Sequence, residues 1–562
     1  MMDNPFPALA VGTMLVMGCA ALLIEVPDIT GEPLSGRLAM DIATLASDEF
    51  QGRRPGTAGG KKTVEYIEGR FREIGLEPGN GDSYRQLVTM TQVRPGPPKA
   101  LIISSGRDSL ELSGNDDFIG WASGAVPVVS FSAHEIVLVG FGAQAPEYDW
   151  DDYAALDVAG KIVLMFRNDP GYASGKSTVF NGKRGTRHGY YRRKFQVARQ
   201  QGAAAAFVIW DGELSASSYT WAQTRGYWGR GRTRLSTDQP PERPEFVMGI
   251  IYVDAGRRML RQCGLDYDSL LVAAATPGFN ALPLGLTMTG DLRTEVEELA
   301  TYNVMGLVRG SERPDELLIY MGHWDHMGMD TTLDGDQIYN GAVDNATGTA
   351  VVISLAEQFA ALDQPPQRSI MFLAFTAEEM GLLGSRWYTE NPVFPLTKTV
   401  AAINIDMIMP YGRTRDIIVF GLGRSDLDKH LRRAAAKRGM VLGGDPWPQE
   451  RIYSRSDHIN LARKGVPALY TAIGVDHLAN GREWGLDQAH GFMDSIYHTV
   501  RDEFDQSWDF SGIEDYVQLV FDVGYTIANQ SKFPNWRRGD AFRAARDEAL
   551  KAARASATAS TD

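Results

Sequence analysis

One stretch sets the terms for the rest of the chain: residues 370–385, IMFLAFTAEEMGLLGS. Ile370 to Phe375 is an unbroken apolar run, the pattern of a strand buried on both faces. It ends almost at once in two adjacent carboxylates, Glu378 and Glu379, after which Gly381 and Gly384 open the way to a helical segment. In an open α/β sheet the chemistry sits just beyond the carboxyl ends of the strands. Two neighbouring carboxylates at that point repel, and one would be driven to hold its proton unless a cation absorbs the charge. One reading is therefore a metal, with one Glu as ligand and the other handling protons; the other is a solvated loop that happens to carry two acids.

The chain around this stretch alternates strands and helices. Apolar runs predict strands at 301–309, 316–321, 369–375, 399–405, 416–420 and 466–472. Helices are expected at 346–362, 381–390, 425–438, 456–464 and 511–530. Earlier, 61–76 places Val64, Ile67, Phe71 and Ile74 on one helical face, with Gly75 where a C-cap is expected. Residues 100–124 suggest strands. From 125 to about 290 the texture changes. HEIVLVGFG, GKIVLMFRND and AAAAFVIWDG are short apolar strands. The basic segment 181–203 precedes the last of them, and a Pro-rich loop lies at 236–246. The 562 residues thus divide into 1–27, an apolar leader or anchor; 28–124, the first part of a larger domain; 125–292, an inserted α/β module; 293–535, the main α/β domain; and 536–562, a charged tail expected to end in disorder.

Net charge is −14, from 56 basic against 70 acidic residues, which argues against a general nucleic-acid binder. Cys19 and Cys263 give no disulfide framework. Residues 4–24 carry no charge and are long enough to span a bilayer. The expectation is export to a periplasmic or extracellular location; a cleaved signal, a lipid anchor and a membrane anchor all fit.

Five places in the last third carry metal-type chemistry. His323 closes the strand LLIYM, with Asp325 two residues on as a partner for its ring. Asp344 lies in NGAVDNATGTA just before a helix, where free N–H groups can orient a carboxylate. Glu378 and Glu379 follow. Asp406 succeeds the strand AAINI directly, and His498 follows Tyr497 in DSIYHTVRDEFD. Singly, each has a bland explanation: a satisfied histidine, a helix cap, a turn. As a set at the strand ends and loops of one sheet they suit zinc, since two imidazoles and three carboxylates can hold a pair of ions with one carboxylate bridging.

GHWDHMG, YNGAVDNATGTA, FTAEEMGLLGS, NIDMI and IYHTVRDEFD, in this order, resemble the co-catalytic zinc exopeptidase family. That family includes secreted bacterial aminopeptidases and glutamate carboxypeptidase, with the transferrin receptor as a non-catalytic relative. The resemblance covers roughly 40–90 and 295–530, and the insert resembles a protease-associated domain, most of all in EYDWDDYAALDVAGKIVLM. It implies a mixed, mostly parallel sheet flanked by helices. It also implies that His323 and His498 bind one zinc with Asp344, which bridges to a second zinc completed by Glu379 and Asp406. Asp325 would orient His323, Glu378 would be the general base acting on a metal-bridging hydroxide, and Tyr497 would stabilise the tetrahedral intermediate.

The implied function is a metallo-aminopeptidase with two Zn2+ per chain and a peptide as substrate. Asp457 and His458 are expected behind the ligands or facing substrate, His326 is expected not to ligate, and His477 and His490 fall in a Gly-rich loop with no assigned role. A carboxypeptidase or dipeptidase needs fixed cations for a terminal carboxylate, and Arg455 is the one arginine placed near the cleft. A non-catalytic binding protein on the same scaffold is the alternative of a different class. Side-chain preference, native metal and oligomeric state are left open.

Overall fold

The computed structural model describes residues 33–559 apart from 98, 107, 215–219 and 332. The expected leader at 1–27 and the last residues, 560–562, lie outside these. No helix among the described residues is long and apolar enough to cross a membrane.

The main sheet is built from β1 (Arg85–Pro95), β2 (Leu282–Val308), β3 (Arg313–His323), β4 (Arg368–Phe375), β5 (Thr399–Ile405), β6 (Asp416–Phe420), β7 (Val441–Gly444) and β8 (Ala468–Ile473). Its order is β1-β2-β4-β3-β5-β8-β6-β7, with Arg232–Leu235 paired antiparallel to β1. Strands β4, β3, β5 and β8 run parallel, and antiparallel pairings begin at β2 and β6. The period-2 geometry of a strand explains why β4 is apolar throughout. Ile370, Phe372 and Ala374 pack into one core cluster, and Met371, Leu373 and Phe375 into the other, so both faces are covered.

On the first face lie α1 (Leu34–Leu45), α2 (Ala58–Ile74), α3 (Gly348–Ala360) and α4 (Ser511–Asn529). The predicted stripe on α2 is buried at Val64, Ile67 and Phe71. Gly75 ends the helix at φ 84°, its N–H donating to Arg72 O. On the second face the helices Leu383–Glu390 and His458–Arg463 bring in Tyr388 and Leu461.

The second sheet begins earlier than the change of texture at 125 suggests. Strands Leu101–Ser104, Ser109–Leu112 and Phe118–Ala122 already belong to it. Leu101–Ser104 pairs with Ser109–Leu112 and with the first half of β2, and Phe118–Ala122 pairs with Val247–Tyr252, beyond which Ala205–Trp210, Ile162–Phe166 and Val128–Leu138 continue the sheet back to β2. The cause is β2 itself, a strand of 27 residues. Its first part pairs Val128–Leu138 in the second sheet and its later part pairs β1 and β4 in the main sheet, so no break in pattern marks the passage between them.

Two further expectations change. The Gly-rich stretch read as a loop holds the helix Gly481–Ser495, seated by Ala489 and Phe492. Gly485 is there for close approach: a Cβ would stand 2.1 Å from Val475 O. The charged tail is docked as well, since the helix Arg543–Ala559 covers most of it. Trp536 is fully buried and donates to Gly465 O, and Arg546 donates to Leu396 O and Thr399 O.

Candidate metal centre

Because β4, β3 and β5 are parallel neighbours, their carboxyl ends fall side by side. His323 is the last residue of β3, Asp406 follows β5, and Glu378 and Glu379 follow β4. Asp344 comes from the turn ahead of α3, and His498 from the loop after the helix Gly481–Ser495, with φ 56°. All five expected ligands meet.

They meet in two groups that share Asp344. His323 Nε2 lies 3.3 Å from Asp344 Oδ1 and 3.2 Å from Asp406 Oδ1. His498 Nε2 lies 3.1 Å from Asp344 Oδ2 and 3.2 Å from Glu379 Oε2. The implied pairing of His323 with His498 on one ion, and of Glu379 with Asp406 on the other, is therefore corrected. Each group takes one imidazole, one carboxylate of its own and one oxygen of Asp344. Chain order could not reveal this, because β3 lies between β4 and β5 in the sheet and the path of the 498 loop decides which side each imidazole enters.

The donors fit a cation. Glu379 Oε1 and His498 Nε2 are buried without a hydrogen-bonded partner among the described residues, an arrangement that costs energy unless something completes it. The ionisation of the groups points the same way. Burial would raise Asp344, yet His323 and His498 hold it well below the usual carboxylate range. Burial opposes Glu379 too, but His498 and His326 carry it down to about 2. Burial would lower His498, and Glu379 and Asp344 lift it to about 10 instead. The acids demand positive charge, and the imidazoles, Arg53 and, on the cleft wall, Arg455 face them.

Asp325 acts differently from the expectation. Its carboxylate stands 3.9 Å from His323 Nδ1 and accepts from Glu378 N and Glu379 N, tying the double-Glu turn to the end of β3. His323 Nδ1 faces the main-chain oxygen of Asp325 at 3.1 Å. Three supporting residues had no expected role. Asp502 accepts from Val343 N and Asp344 N; it lies in the quoted IYHTVRDEFD motif, which was its only signal. Asn345 accepts from Gly348 N and Met407 N and donates to Ile405 O, locking the turn to the end of β5. Arg53, 1% exposed, donates to Trp324 O and Gly341 O and pins both ligand loops.

A cleft of about 350 Å³ opens onto the ions' place. It is lined by His323, Asp344, Glu378, Asp406, Arg455 and Tyr497, among others. Tyr497 stacks on His498 at 3.8 Å, and its hydroxyl accepts from Arg455 Nη2 at 3.1 Å. Burial and the surrounding acids hold that phenol far above its usual range, so it stays a donor. A second, apolar cavity of about 500 Å³ adjoins through Met407, Ile452, Tyr470 and Met493 and is walled by Ile418, Phe420, Trp447 and Phe492. Asp457 and His458 are fully buried outside the cleft lining, His458 packed between Tyr453 and Tyr470. His477 packs on Trp484 and His490 on Trp447, away from the ligands.

Residues 303–523 match the model of Peptidase family M28. The chain is 35% identical over 412 residues to a glutamate carboxypeptidase 2 homolog of Caenorhabditis elegans, covering 63% of this chain and 49% of that protein. The matched stretches span about half or less of the curated relatives' length. Its fold is similar to that of an aminopeptidase from Aneurinibacillus sp. strain AM-1 (TM-score 0.55, 20% identity, 89% of this chain and 95% of that one). It is also similar to that of BSAP, a zinc aminopeptidase from Bacillus subtilis (TM-score 0.50, 19% identity, 89% and 97%). The segment match and the shared fold agree with the strand-end cluster of His, Asp and Glu: over residues 303–523 this chain is similar to peptidase family M28.

Proposed function

We propose that the protein is an exported zinc exopeptidase that removes N-terminal residues, preferring large apolar side chains. The observation that carries this reading is the placing of Glu378 in the same cleft as two ligand groups joined through Asp344. His323, Asp344 and Asp406 would hold one zinc, and Asp344, Glu379 and His498 the other. When bound, the pair acidifies water towards neutrality, polarises the scissile carbonyl and favours ionised Glu378.

The chain's own residues supply the rest. Burial pushes Glu378 well above the usual carboxylate range, with Glu379, Asp406 and Asp457 adding to the rise and His323 opposing it. Such a carboxyl both takes and returns a proton readily. It takes one from the attacking water and passes it to the leaving amine. Tyr497, held by Arg455, donates to the oxygen on which negative charge builds. The apolar cavity accepts the side chain of the residue being released, and burial there favours Leu, Phe or Met.

A second reading, cleavage at the carboxyl end, is favoured by Arg455, a cation on the cleft wall able to meet a terminal carboxylate. Zinc titration by calorimetry, followed by assays on Leu-p-nitroanilide and on N-blocked and C-blocked dipeptides, tests the proposal. Two zinc ions per chain and activity that requires a free amine are expected. Activity confined to N-blocked peptides with a free carboxylate would move the site to the other end of the substrate. A chain that binds no zinc and cleaves nothing would return the binding-protein reading.

A further inference from the structure

The two ligand groups are unequal because of a third imidazole. His326 is 1% exposed and places Nδ1 2.8 Å from Glu379 Oε1. Its ring centre lies 5.8 Å from that of His498. With Asp344 and Glu379 it offers three ligand atoms all within 4.8 Å of one another. The approach to Glu379 lacks the alignment of a hydrogen bond, and neither ring nitrogen of His326 has a hydrogen-bonded partner among the described residues. A buried imidazole left so is costly in a dry interior.

The fold also makes room for this ring. Gly341 adopts φ 59°, and a Cβ there would stand 2.4 Å from His326 Cγ and 2.5 Å from Cδ2. The glycine in the turn that delivers Asp344 thus lets the imidazole lie against the backbone, facing the same acids. Asp502 fixes the same turn by accepting from Val343 N and Asp344 N.

We propose that His326 is a ligand of the second cation. That site would then be built from Asp344, Glu379, His498 and His326, while the first has His323, Asp344 and Asp406. The inference rests on the metallopeptidase reading and deepens it. Two imidazoles with two carboxylates make a fuller and more nitrogen-rich set than one imidazole with two carboxylates, and such sets suit zinc better than magnesium or manganese. The second ion should therefore bind tighter and leave last when a chelator strips the pair.

X-ray absorption on the zinc-loaded wild-type chain counts imidazoles without any substitution. Three shared between two ions is the expected result, and two would overturn the proposal while leaving the zinc peptidase reading intact. Calorimetric zinc titration of His326→Ala and His326→Gln gives the second readout, with a circular-dichroism melt of each variant to confirm folding. Loss of a ligand should weaken the tighter site more than about 100-fold, beyond the 10–100-fold expected when only an outer hydrogen-bonding partner is removed. If His326→Gln binds both ions as the wild type does, His326 merely steadies Glu379 and the proposal fails. If the wild type binds no zinc at all, this proposal and the peptidase reading fall together.

Discussion

Each of the two sheets buries acids, and they treat them in opposite ways. In the second sheet Asp152 is 2% exposed and both its oxygens are in use. Oδ1 accepts from Trp150 Nε1, and Oδ2 accepts from Phe141 N and Ala143 N. Lys194, 1% exposed, donates to Phe141 O, so the backbone of one residue lies between the base and the acid. Asp169 nearby accepts from Tyr172 N and from Thr186 N and Oγ1. At the edge of the main sheet the accounts are left open. Asp344, Glu378, Glu379 and Asp406 crowd together, and Glu379 Oε1, His498 Nε2 and both nitrogens of His326 lack hydrogen-bonded partners among the described residues. A buried acid that its own chain completes is scaffold, whereas one that its chain leaves incomplete is held for something else to finish.

The comparison breaks most sharply at Glu378. Glu378→Gln keeps the shape and the zinc but removes the proton carrier. Turnover should fall about 10²–10⁴-fold or more, while bound zinc, read by elemental analysis, stays at the wild-type level. Wild-type turnover in that variant would assign the base elsewhere. Asp152→Asn is the counterpart in the second sheet. It leaves Lys194 without its nearest acid in a dry site, where burial already disfavours its charge. Weakening a buried carboxylate that accepts three hydrogen bonds costs about 3 kcal/mol or more. Denaturant melts should show that loss, yet zinc content and turnover per folded molecule should not move. A drop in zinc would mean that the two kinds of buried charge are not separate.

Removing the metal should have a smaller effect on stability than Asp152→Asn. A ligand present at 100 times its dissociation constant stabilises the fold by about 2.7 kcal/mol, and a chelator withdraws that much. The melt should shift back on adding zinc, and the shift should be lost in Asp344→Ala, which takes one oxygen from each group at once. A chelator-insensitive melt would mean that the open positions are not filled by metal.

The contrast between completed and open sites also explains what the sequence could reveal. The strands and helices of 299–530 show as apolar runs cut by turn residues, because β3, β4 and β5 are buried on both faces and leave no room for polar interruption. Of the five candidate ligands, His323, Glu379 and Asp406 stood out because an acid or imidazole just past such a run has few structural uses, whereas Asp344 and His498 were read only as members of the set. Their division into two groups was not, since it follows from the lateral order of strands and from a loop whose path only the packed structure shows. Arg53 and Asn345 were illegible for a related reason. They hold the backbone of other segments, and main-chain partners leave no mark in the sequence. The passage of β2 from one sheet to the other was hidden because both halves carry strand patterning without a break.

Arg455 tests the boundary between the two kinds of site. It is a cation on the cleft wall whose closest acid, Glu450, is 4.0 Å away, and whose hydrogen bond goes to the Tyr497 hydroxyl. If it serves only to aim that hydroxyl, it belongs to the completed scaffold. Arg455→Met should then lower kcat about 10–100-fold, the order of a single hydrogen bond from a charged donor, with KM unchanged. If instead it waits for a terminal carboxylate, it belongs with the open set. KM should then rise for peptides ending in a free carboxylate and stay fixed for the same peptides ending in an amide. The first outcome is expected, because a guanidinium already engaged with the oxyanion donor would have to give up that bond to clamp substrate. A selective rise in KM for free carboxylates would show that the cation is held for substrate after all, and that cleavage proceeds from the other end.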